Sequence, residues 1–572
     1  MSKSTDPCDR SDPRLRLVAL PLLALLLTAA VELMNRGLSP ERLWAFIARR
    51  PLYFLYNALI VLTTLAFSEL FRRRRALLTT LSLLWLTLGA VQYLVVKYRA
   101  QPFSSVDVLM MKDALSLMTM YFTGPQILLM FGAGFGLIAA IALMFRHMKR
   151  RRRLNLAASL LLFSGLVLLC FIFAAAGIQT GALPRRFEAL ADACAEDGFP
   201  YCFCATFGQQ GLSRPGDYSA EAVAAILKDI GPAFSEADSP ARPNVILLQL
   251  ESFFDVNTIL GGEYSADPTP TFNRLCRDFP SGLLYVPTVG GGTANTEFEV
   301  LTGLNLDFFG AGEFPYNTIL QKTAVESLNT DLKTQGYTAT AIHNNRAAFY
   351  SRNIVYPNLG FDRFISLEDM ESVEYTPLGW AKDAVLTGEI MRALEATPGR
   401  DAITCITVET HGKYGEVYEP KPGDIEVLRL PERIPLAPFQ NYINALPATD
   451  AFLKDLLHAL TRFDEPTVLV AYGDHLPALE LENDLLATGS VYASRYVIWN
   501  NYGKRFEAPD LQAYRLGANL LKQLGYSGGP ICQYHQSADP GDDSEAYLNR
   551  LELLQYDTLY GQGAPAGNCC HP

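Results

Sequence analysis

The stretch NVILLQLESFF, residues 244–254, decides the fold of the larger part of this chain. Its first seven residues, Asn244–Leu250, form a near-continuous apolar run, which is typical of a strand buried on both faces of a parallel sheet. Glu251 follows this strand directly. Because ligands of open α/β sheets bind beyond the carboxyl ends of the strands, Glu251 is the first candidate functional residue.

Further short apolar runs alternate with helical patterns along the rest of this region. The clearest helical patterns are Ala324–Thr334, Asp383–Ala396 and Ala448–Thr461. Such alternation predicts an α/β domain, with a mainly parallel sheet flanked by helices on both faces. The further strands are expected at Gly282–Val289, Tyr337–Ile342, Ala402–Val408 and Thr467–Ala471.

The front of the chain is apolar and basic. The 572 residues carry a net charge of -11, yet residues 1–176 hold 21 Lys+Arg against 8 Asp+Glu. A cleaved signal peptide is the alternative for the first apolar run, and the four that follow favour a retained membrane anchor. Five runs come near the roughly 20 residues that cross a bilayer as a helix, and they are Leu17–Met34, Pro51–Ser68, Ala76–Val96, Ile127–Phe145 and Leu154–Ala176.

The distribution of Lys and Arg predicts the orientation in the membrane. The N-terminal tail, the second loop and the fourth loop hold 14 of these residues, whereas the first and third loops hold 7. The N-terminus is therefore expected in the cytoplasm, and five helices place everything after residue 176 outside. We expect a transmembrane domain over 1–176, an extracellular linker over 177–242 and a catalytic domain with a C-terminal segment over 243–572. The acidic composition of the globular part that follows residue 176 argues against a nucleic-acid partner.

Six polar residues fall just after the predicted strands, and they should meet at one edge of the sheet. Each has an ordinary structural explanation when taken alone, such as a helix cap, a tight turn or a loop hydrogen bond. Thr293 also follows the glycine run VGGGTAN and precedes a probable helix, Ala294–Leu301. In chain order the six are Glu251, Thr293, His343, His411, Asp474 and His475.

The histidines provide an internal control for this pattern. The chain has 7 of them. Three follow strands on the same edge, which is hard to produce by chance. The other four are expected to be solvated, in a basic loop, a helix or the tail, and they are His147, His458, His535 and His571.

Two carboxylates and an imidazole form a mixed oxygen and nitrogen ligand set, which suits Mn²⁺ or Zn²⁺. These ligands would be Glu251, Asp474 and His475, and the Thr293 oxygen could be the fourth. Metal coordination would make that hydroxyl a nucleophile near neutral pH. The helix that follows Thr293 would favour an anionic phosphoryl group at its N-terminus. The side chains that could neutralise or hydrogen-bond the phosphate oxygens are Arg346, Arg352, His343 and His411.

With these residues in place, the sequence resembles the lipoteichoic acid synthase / phosphoglycerol transferase family. The resemblance is densest from Asn244 to Gly561. It implies a five-span membrane enzyme with an extracellular domain of the sulfatase and alkaline phosphatase type. The matching segments are NVILLQLESF, GGGTANTEFEVLTG, AIHNNRAAFYSRN, VETHGKYG and VAYGDHLP.

The resemblance also implies roles for individual residues. Thr293 would be the nucleophile and a metal ligand together with Glu251, Asp474 and His475, whereas His343, Arg352 and His411 would contact the phosphate and glycerol. The family's aromatic residue before the arginine lies here in the looser context AFYSR, so Phe349 or Tyr350 would take that part. The Cys/Ser-x-Pro-x-Arg pattern of true sulfatases does not occur around Thr293, which argues against sulfate ester hydrolysis.

The implied reaction moves glycerol phosphate from phosphatidylglycerol to a glycolipid or a growing polyglycerolphosphate chain. It would proceed through a glycerophosphoryl-threonine intermediate and release diacylglycerol at the bilayer. Mn²⁺ is the expected cofactor, with Zn²⁺ or Mg²⁺ also open. The alternatives are transfer of phosphoethanolamine, transfer of glycerol phosphate to a glucan and, from a different class, a catalytically silent polymer-binding membrane protein. The intact ligand set argues against the last.

Overall fold

The computed structural model describes residues 13–99, 102–109, 124–148, 156–183, 190–207, 211–230, 242–310, 312–397, 400–412, 414–539 and 541–561. The chain divides into two compact units. The first contains residues 1–210 with 310–312, and the second contains 211–309 and 313–572.

The first unit is helical throughout its described residues. Five helical segments are long and apolar enough to cross a membrane, as the sequence predicts, and they are α1, α3 with the 3-10 helix Phe67–Leu70 that continues it, α4, α6 and α7. Apolar side chains of α6 and α7 point outward along the whole length of both helices, which suits contact with lipid. The helices are α1 (Pro13–Asn35), α2 (Pro40–Arg49), α3 (Pro51–Ala66), α4 (Arg74–Arg99), α5 (Ser105–Leu109), α6 (Gly124–His147), α7 (Leu156–Gln179), α8 (Leu190–Glu196) and α9 (Phe199–Thr206).

Glu32, near the end of α1, is buried inside this unit. Its carboxylate accepts hydrogen bonds from the Arg36 guanidinium and, at 2.8 Å, from the backbone N–H of Phe199. Asn57 of α3 accepts a similar bond from the N–H of Tyr201, also at 2.8 Å. Because a buried carboxylate is tolerated only with such partners, these bonds explain how a charged residue fits inside a candidate membrane helix.

The second unit is built on one large sheet. Among its described residues, eight strands pair in the order β10-β3-β9-β8-β1-β6-β4-β5, and β2 pairs with β7 separately. All neighbours in the large sheet are parallel except β9, which runs antiparallel to β3 and β8. The strands are β1 (Asn244–Leu250), β2 (Glu263–Tyr264), β3 (Ser281–Tyr285), β4 (Tyr337–His343), β5 (Arg363–Ile365), β6 (Arg400–Ile406), β7 (Val427–Arg429), β8 (Thr467–Gly473), β9 (Ala493–Asn500) and β10 (Leu511–Gln512).

Helices cover both faces of this sheet. Alternate residues of β1 point into two separate hydrophobic cores, with Val245 and Leu247 in one and Ile246 and Leu248 in the other. This arrangement confirms the predicted α/β fold with helices on both faces. The helices are α10 (Ala220–Asp229), α11 (Pro270–Asp278), α12 (Thr293–Thr302), α13 (Leu328–Thr334), α14 (Arg352–Asn358), α15 (Val385–Ala396), α16 (Leu436–Ile443), α17 (Leu446–Thr461), α18 (Leu516–Leu524), α19 (Pro530–Ser537) and α20 (Glu545–Tyr560).

Several strands differ from the sequence prediction. β3 ends at Tyr285 rather than Val289, because Pro287 has no N–H to donate to a sheet. β6 begins and ends two residues earlier than expected, and β2, β5, β7, β9 and β10 were not predicted. Four of these five have only two or three residues, whereas β9 is a long strand. Strand–helix alternation reveals strands joined by helical crossovers, and an antiparallel neighbour needs no such crossover.

Candidate active site

The central pair of strands brings two carboxylates together. β1 and β8 are parallel neighbours, and Leu250 at the end of β1 lies opposite Gly473 at the end of β8. The residues that follow them, Glu251 and Asp474, are therefore adjacent, and both are almost fully buried. This is the strand-end arrangement that the sequence predicts.

Ser252 links these two carboxylates, and the sequence analysis did not single it out. Its backbone N–H donates to Oδ1 of Asp474 at 2.7 Å, and its hydroxyl donates to Oε1 of Glu251 at 2.9 Å. Its φ is 47°, a left-handed conformation that is uncommon for a residue other than glycine. Strain of this kind persists only where the surroundings hold the residue in place, and it clusters at functional sites.

His475 completes a group that can hold a metal ion. One ligand atom from each of Glu251, Asp474 and His475 can be chosen so that all three lie within 4.8 Å of one another. Nε2 of His475 lies 3.4 Å from Oδ2 of Asp474 and 3.7 Å from Oε1 of Glu251. Neither this Nε2 nor the Asp474 Oδ2 has a hydrogen-bond partner among the described residues, although both are buried. Two buried ligand atoms without hydrogen-bond partners, Oδ2 of Asp474 and Nε2 of His475, are suitably placed to bind a divalent cation.

Protonation of these groups follows from their burial. Burial and the nearby Glu251 charge raise the pKa of Asp474 well above its ordinary value. Burial opposes ionisation of Glu251 too, but His411, His475 and the hydrogen bond from Thr293 bring its pKa below the ordinary value. Burial lowers the pKa of His475, which therefore presents a neutral imidazole. A cation would offset the repulsion between the carboxylates and use the free imidazole nitrogen.

Thr293 lies at the first position of α12, immediately after the glycine run. Its hydroxyl donates to Oε2 of Glu251 at 2.8 Å, so Thr293 belongs to the same cluster. Gly292 has a φ of 97°, which favours glycine, and a Cβ there would come within 3.0 Å of the Thr288 hydroxyl. The glycine turn therefore places the Thr293 hydroxyl at the N-terminus of α12, where the helix dipole and free N–H groups would stabilise an anion.

Three further hydrogen bonds fix the start of α12. Gln249 donates to the carbonyl of Thr293 at 3.1 Å and accepts from the hydroxyl of Tyr472 at 3.0 Å. The hydroxyl of Thr296 donates to the carbonyl of Asp474 at 2.7 Å. The helix is therefore tied to both β1 and β8, which leaves the Thr293 side chain little freedom to move.

His343 is the last residue of β4 rather than the first residue after it. Its Nδ1 is hydrogen-bonded to the carbonyl of Ile406 at 2.9 Å, so Nδ1 carries the proton and Nε2 is left as an acceptor. Burial, together with the nearby Arg352 charge, lowers the pKa of His343 well below its ordinary value. The ring is therefore neutral at physiological pH.

His411 also lies close to the cluster, because it acts electrostatically on Glu251, His475 and His343. Its ring packs against Trp380, with centroids 4.4 Å apart. Trp380 was not predicted from the sequence, because it lies in a loop and does not follow the end of a predicted strand. The tryptophan restricts how the His411 ring can rotate.

The two predicted arginines have different environments. Arg352 is fully buried and forms an ion pair with Glu297, and its charge lowers the pKa of His343. The rings of Phe349 and Tyr350 both lie near its guanidinium, 5.8 and 5.3 Å from the Cζ atom. Arg346 is exposed.

One histidine expectation is wrong. His535 is buried, not solvated, with Nε2 hydrogen-bonded to the carbonyl of Gly303 at 2.7 Å and Nδ1 to the hydroxyl of Tyr547 at 2.5 Å. It lies on α19 at a position where the helix packs against its neighbours, and a single polar residue in a short helix does not reveal which face is buried. His147 and His458 are exposed as expected, and His571 lies outside the described residues.

Comparisons with known proteins agree with this fold. Residues 243–513 match the sulfatase family. The chain is 28% identical over 349 residues to a putative cyclic beta-1,2-glucan modification protein of Rhizobium meliloti, covering 58% of this chain and 53% of that one. It is 26% identical over 250 residues to the lipoteichoic acid synthase-like YvgJ of Bacillus subtilis, covering 43% and 38%.

A solved structure is also similar. It is the Streptococcus pyogenes phosphoglycerol transferase GacH in complex with sn-glycerol-1-phosphate, with a TM-score of 0.53 and 25% identity. The similarity covers 62% of this chain and 96% of that chain.

The chain therefore carries a sulfatase-family domain, preceded by five candidate membrane helices, with lipoteichoic acid synthases among its relatives. Transferases among the relatives and similar structures support an enzyme. The chain spans about half the length, or less, of the curated relatives described above.

Proposed function

We propose that this protein is a membrane-bound, metal-dependent phosphoglycerol transferase that uses phosphatidylglycerol as its donor. The observation that carries the proposal is the hydrogen bond from Thr293 to Glu251, beside the unpartnered atoms of Asp474 and His475. A hydroxyl at a helix N-terminus, within a ligand set for a divalent cation, is an arrangement that can support phosphoryl transfer through a covalent intermediate.

Glu251, Asp474, His475 and the Thr293 oxygen would hold the cation, with Mn²⁺ the expected ion and Zn²⁺ or Mg²⁺ also compatible with these ligands. When bound, it would supply charge stabilisation at the phosphoryl oxygens and make the threonine hydroxyl easier to deprotonate.

In the first step, Oγ1 of Thr293 attacks the phosphorus of phosphatidylglycerol. The bond from phosphorus to the diacylglycerol oxygen breaks, and diacylglycerol leaves with a proton. Oε2 of Glu251 already accepts the hydroxyl proton of Thr293 in a hydrogen bond, so it can take that proton during the attack and pass it to the departing diacylglycerol oxygen. Arg352 and His411 would orient and neutralise the phosphate, whereas Nε2 of His343, which is an acceptor, would receive a hydrogen bond from a glycerol hydroxyl.

In the second step, an acceptor hydroxyl attacks the glycerophosphoryl group on Thr293, and the bond from phosphorus to Oγ1 of Thr293 breaks. The acceptor's proton passes to Oγ1, with Glu251 as the carrier, which regenerates the threonine. A glycolipid or a growing polyglycerolphosphate chain is the proposed acceptor. We further propose that the N-terminus is cytoplasmic and that the catalytic domain is extracellular, because the loop charges favour this orientation. The donor headgroup would then be drawn from the outer leaflet.

A second acceptor class is favoured by one specific observation. The relative from Rhizobium meliloti described above is named a putative glucan modification protein, and its match covers more of this chain than that of the YvgJ relative. Glycerol phosphate transfer to a glucan is therefore the second candidate, with the same donor and the same first step.

Intact-mass spectrometry of the purified protein with Mn²⁺ tests the proposal. Phosphatidylglycerol should add one glycerophosphoryl group and release diacylglycerol, and Thr293→Ala should acquire no adduct. A phosphoethanolamine adduct from phosphatidylethanolamine would overturn the donor and keep the nucleophile. If metal-loaded protein forms no adduct with either lipid, the proposed reaction is wrong. Adding glycolipid or glucan to the loaded enzyme then identifies the acceptor by which one discharges the adduct.

A further inference from the structure

A buried ion pair lies beside the candidate site. The side chains of Arg352 and Glu297 are both 0% exposed. Oε2 of Glu297 accepts hydrogen bonds from Nη2 of Arg352 at 2.8 Å and from Nε at 3.2 Å. Its other oxygen, Oε1, accepts from the hydroxyl of Tyr316 at 2.7 Å. The carboxylate is thus held on both oxygens, and it fixes one edge of the guanidinium plane.

Glu297 lies on the same helix as the proposed nucleophile. Thr293 and Glu297 are four residues apart on α12, which puts their side chains on one face of the helix, one turn apart. Every residue of α12 is buried. Arg352, from α14, is therefore tied to the rigid element that carries Thr293, although the two residues are far apart in sequence.

One nitrogen of Arg352 is not held by Glu297. Nη1 makes a long contact of 3.5 Å to the carbonyl of Phe349. The two residues before Arg352, Tyr350 and Ser351, each have a φ of 55°, an uncommon conformation for residues with side chains. The charge of Arg352 also lowers the pKa of His343. The charge of Arg352 thus influences His343 in the site, and Nη1 of Arg352 makes only a weak hydrogen bond within the protein.

We propose that Glu297 is a positioning residue, which holds Arg352 at a fixed place relative to Thr293. The phosphate of a glycerophospholipid would then bind to a guanidinium whose position is already set. This inference rests on the proposed phosphoryl transfer. Without the carboxylate, an unpaired arginine would leave its buried position, and the phosphate would lose this contact. The opposing explanation is an ion pair that only stabilises the fold.

A double-mutant cycle separates these two explanations. We would measure kcat/KM for diacylglycerol release by the full-length wild type, Glu297→Gln, Arg352→Gln and the double variant. Each single change should lower kcat/KM by roughly tenfold or more. If Glu297 acts through Arg352, adding Glu297→Gln to Arg352→Gln should lower it no further. A double variant whose loss equals the product of the two single losses would overturn the proposal.

Glu299→Gln is the matched control. Glu299 is a buried carboxylate on the same helix, and it accepts from the N–H of Leu306 at 2.9 Å rather than from an arginine. This variant should keep kcat/KM near the wild-type value. If Glu297→Gln does not fold, Tyr316→Phe replaces it, because that change removes one hydrogen bond to Glu297 and keeps the ion pair. It should lower kcat/KM in the wild type and leave Arg352→Gln unchanged.

A binding measurement distinguishes failure of this inference from failure of the proposed function. Inorganic phosphate is titrated by calorimetry into the Mn²⁺-loaded variants. Weaker phosphate binding by Glu297→Gln, with no added effect on Arg352→Gln, supports the positioning role even if the protein transfers no glycerol phosphate. Unchanged phosphate affinity in Glu297→Gln overturns it, even if transfer is observed.

Discussion

Thr293 and Glu251 are joined by a hydrogen bond of 2.8 Å across 42 residues of sequence. The strand that ends at Glu251 and the helix that begins at Thr293 therefore meet at one point of the fold. Glu251 has two parts to play there, since it is both a candidate metal ligand and the acceptor for the hydroxyl proton.

Replacing Glu251 by Gln should remove both functions while changing the shape of the side chain little. We expect the bound metal to fall well below one per chain and kcat to fall by roughly a hundredfold or more. Metal content by inductively coupled plasma mass spectrometry and diacylglycerol release measure the two effects. Glu263→Gln, at an exposed position, is the control. Full metal content in Glu251→Gln would contradict the ligand assignment.

Ser252 should matter for metal affinity, because it donates to both candidate carboxylate ligands. Ser252→Ala keeps the backbone N–H and removes the hydroxyl. Because loss of a hydrogen-bond partner of a metal ligand typically lowers metal affinity 10- to 100-fold, we expect the affinity for Mn²⁺ to fall about tenfold. Calorimetric titration with Mn²⁺ measures it.

Ser252→Gly separates hydrogen bonding from backbone strain. It also lacks the hydroxyl, but glycine adopts a φ of 47° without strain, so this variant should be more stable than Ser252→Ala and bind metal equally weakly. Ser527→Ala, which removes a weak bond of 3.4 Å, is the control and should bind metal like the wild type. Wild-type affinity in Ser252→Ala would show that the hydroxyl does not support the site.

Gly292→Ala should destabilise the second unit. The φ of 97° costs a residue with a side chain about 1–2 kcal/mol, and the new Cβ would crowd Thr288 at 3.0 Å. Thermal unfolding of the full-length protein in detergent should show a lower Tm. Gly388→Ala is the matched change inside α15, where nothing lies within 4 Å of the added Cβ. It should stabilise by roughly 0.5–1 kcal/mol, and equal effects of the two changes would refute this reading.

Stability should depend on pH through a half-buried acid away from the site. Burial and the neighbouring Asp331 raise the pKa of Glu326 to about 8, above its ordinary value of 4.5. The folded state therefore binds a proton that the unfolded state has lost between these values, and this contribution to stability falls as pH rises through that window.

Glu326→Gln should remove this dependence. Its Tm should change less between pH 6 and pH 8.5 than that of the wild type, because an amide does not titrate. Glu395→Gln, at an exposed position, should follow the wild-type curve. Parallel curves for all three proteins would place the titrating group elsewhere.

The sequence predicted the parts of this site that depend on strand ends. Glu251, Asp474 and His475 could be found because parallel strands end at the same edge of a sheet, and the structure brings them within one ligand group. The five membrane helices followed from composition and length alone.

The parts that were missed depend on contacts between distant segments. Arg352 was predicted, but its partner Glu297 was not, because the two residues are 55 apart and belong to helices whose mutual packing no local pattern shows. Ser252 has an ordinary sequence context, and its importance comes from a backbone conformation. β9 was missed because its antiparallel pairing leaves no helical signature.

The spacing of the ligands has a consequence for how the enzyme is made. Ser252 and Asp474, which meet at the metal group, are 222 residues apart, and β1 lies between β8 and β6, both of which come later in the chain. During synthesis Glu251 therefore emerges long before Asp474 and His475. The ligand group cannot be completed until β8 and the two residues after it have been added, so the growing polypeptide carries no assembled site before that point.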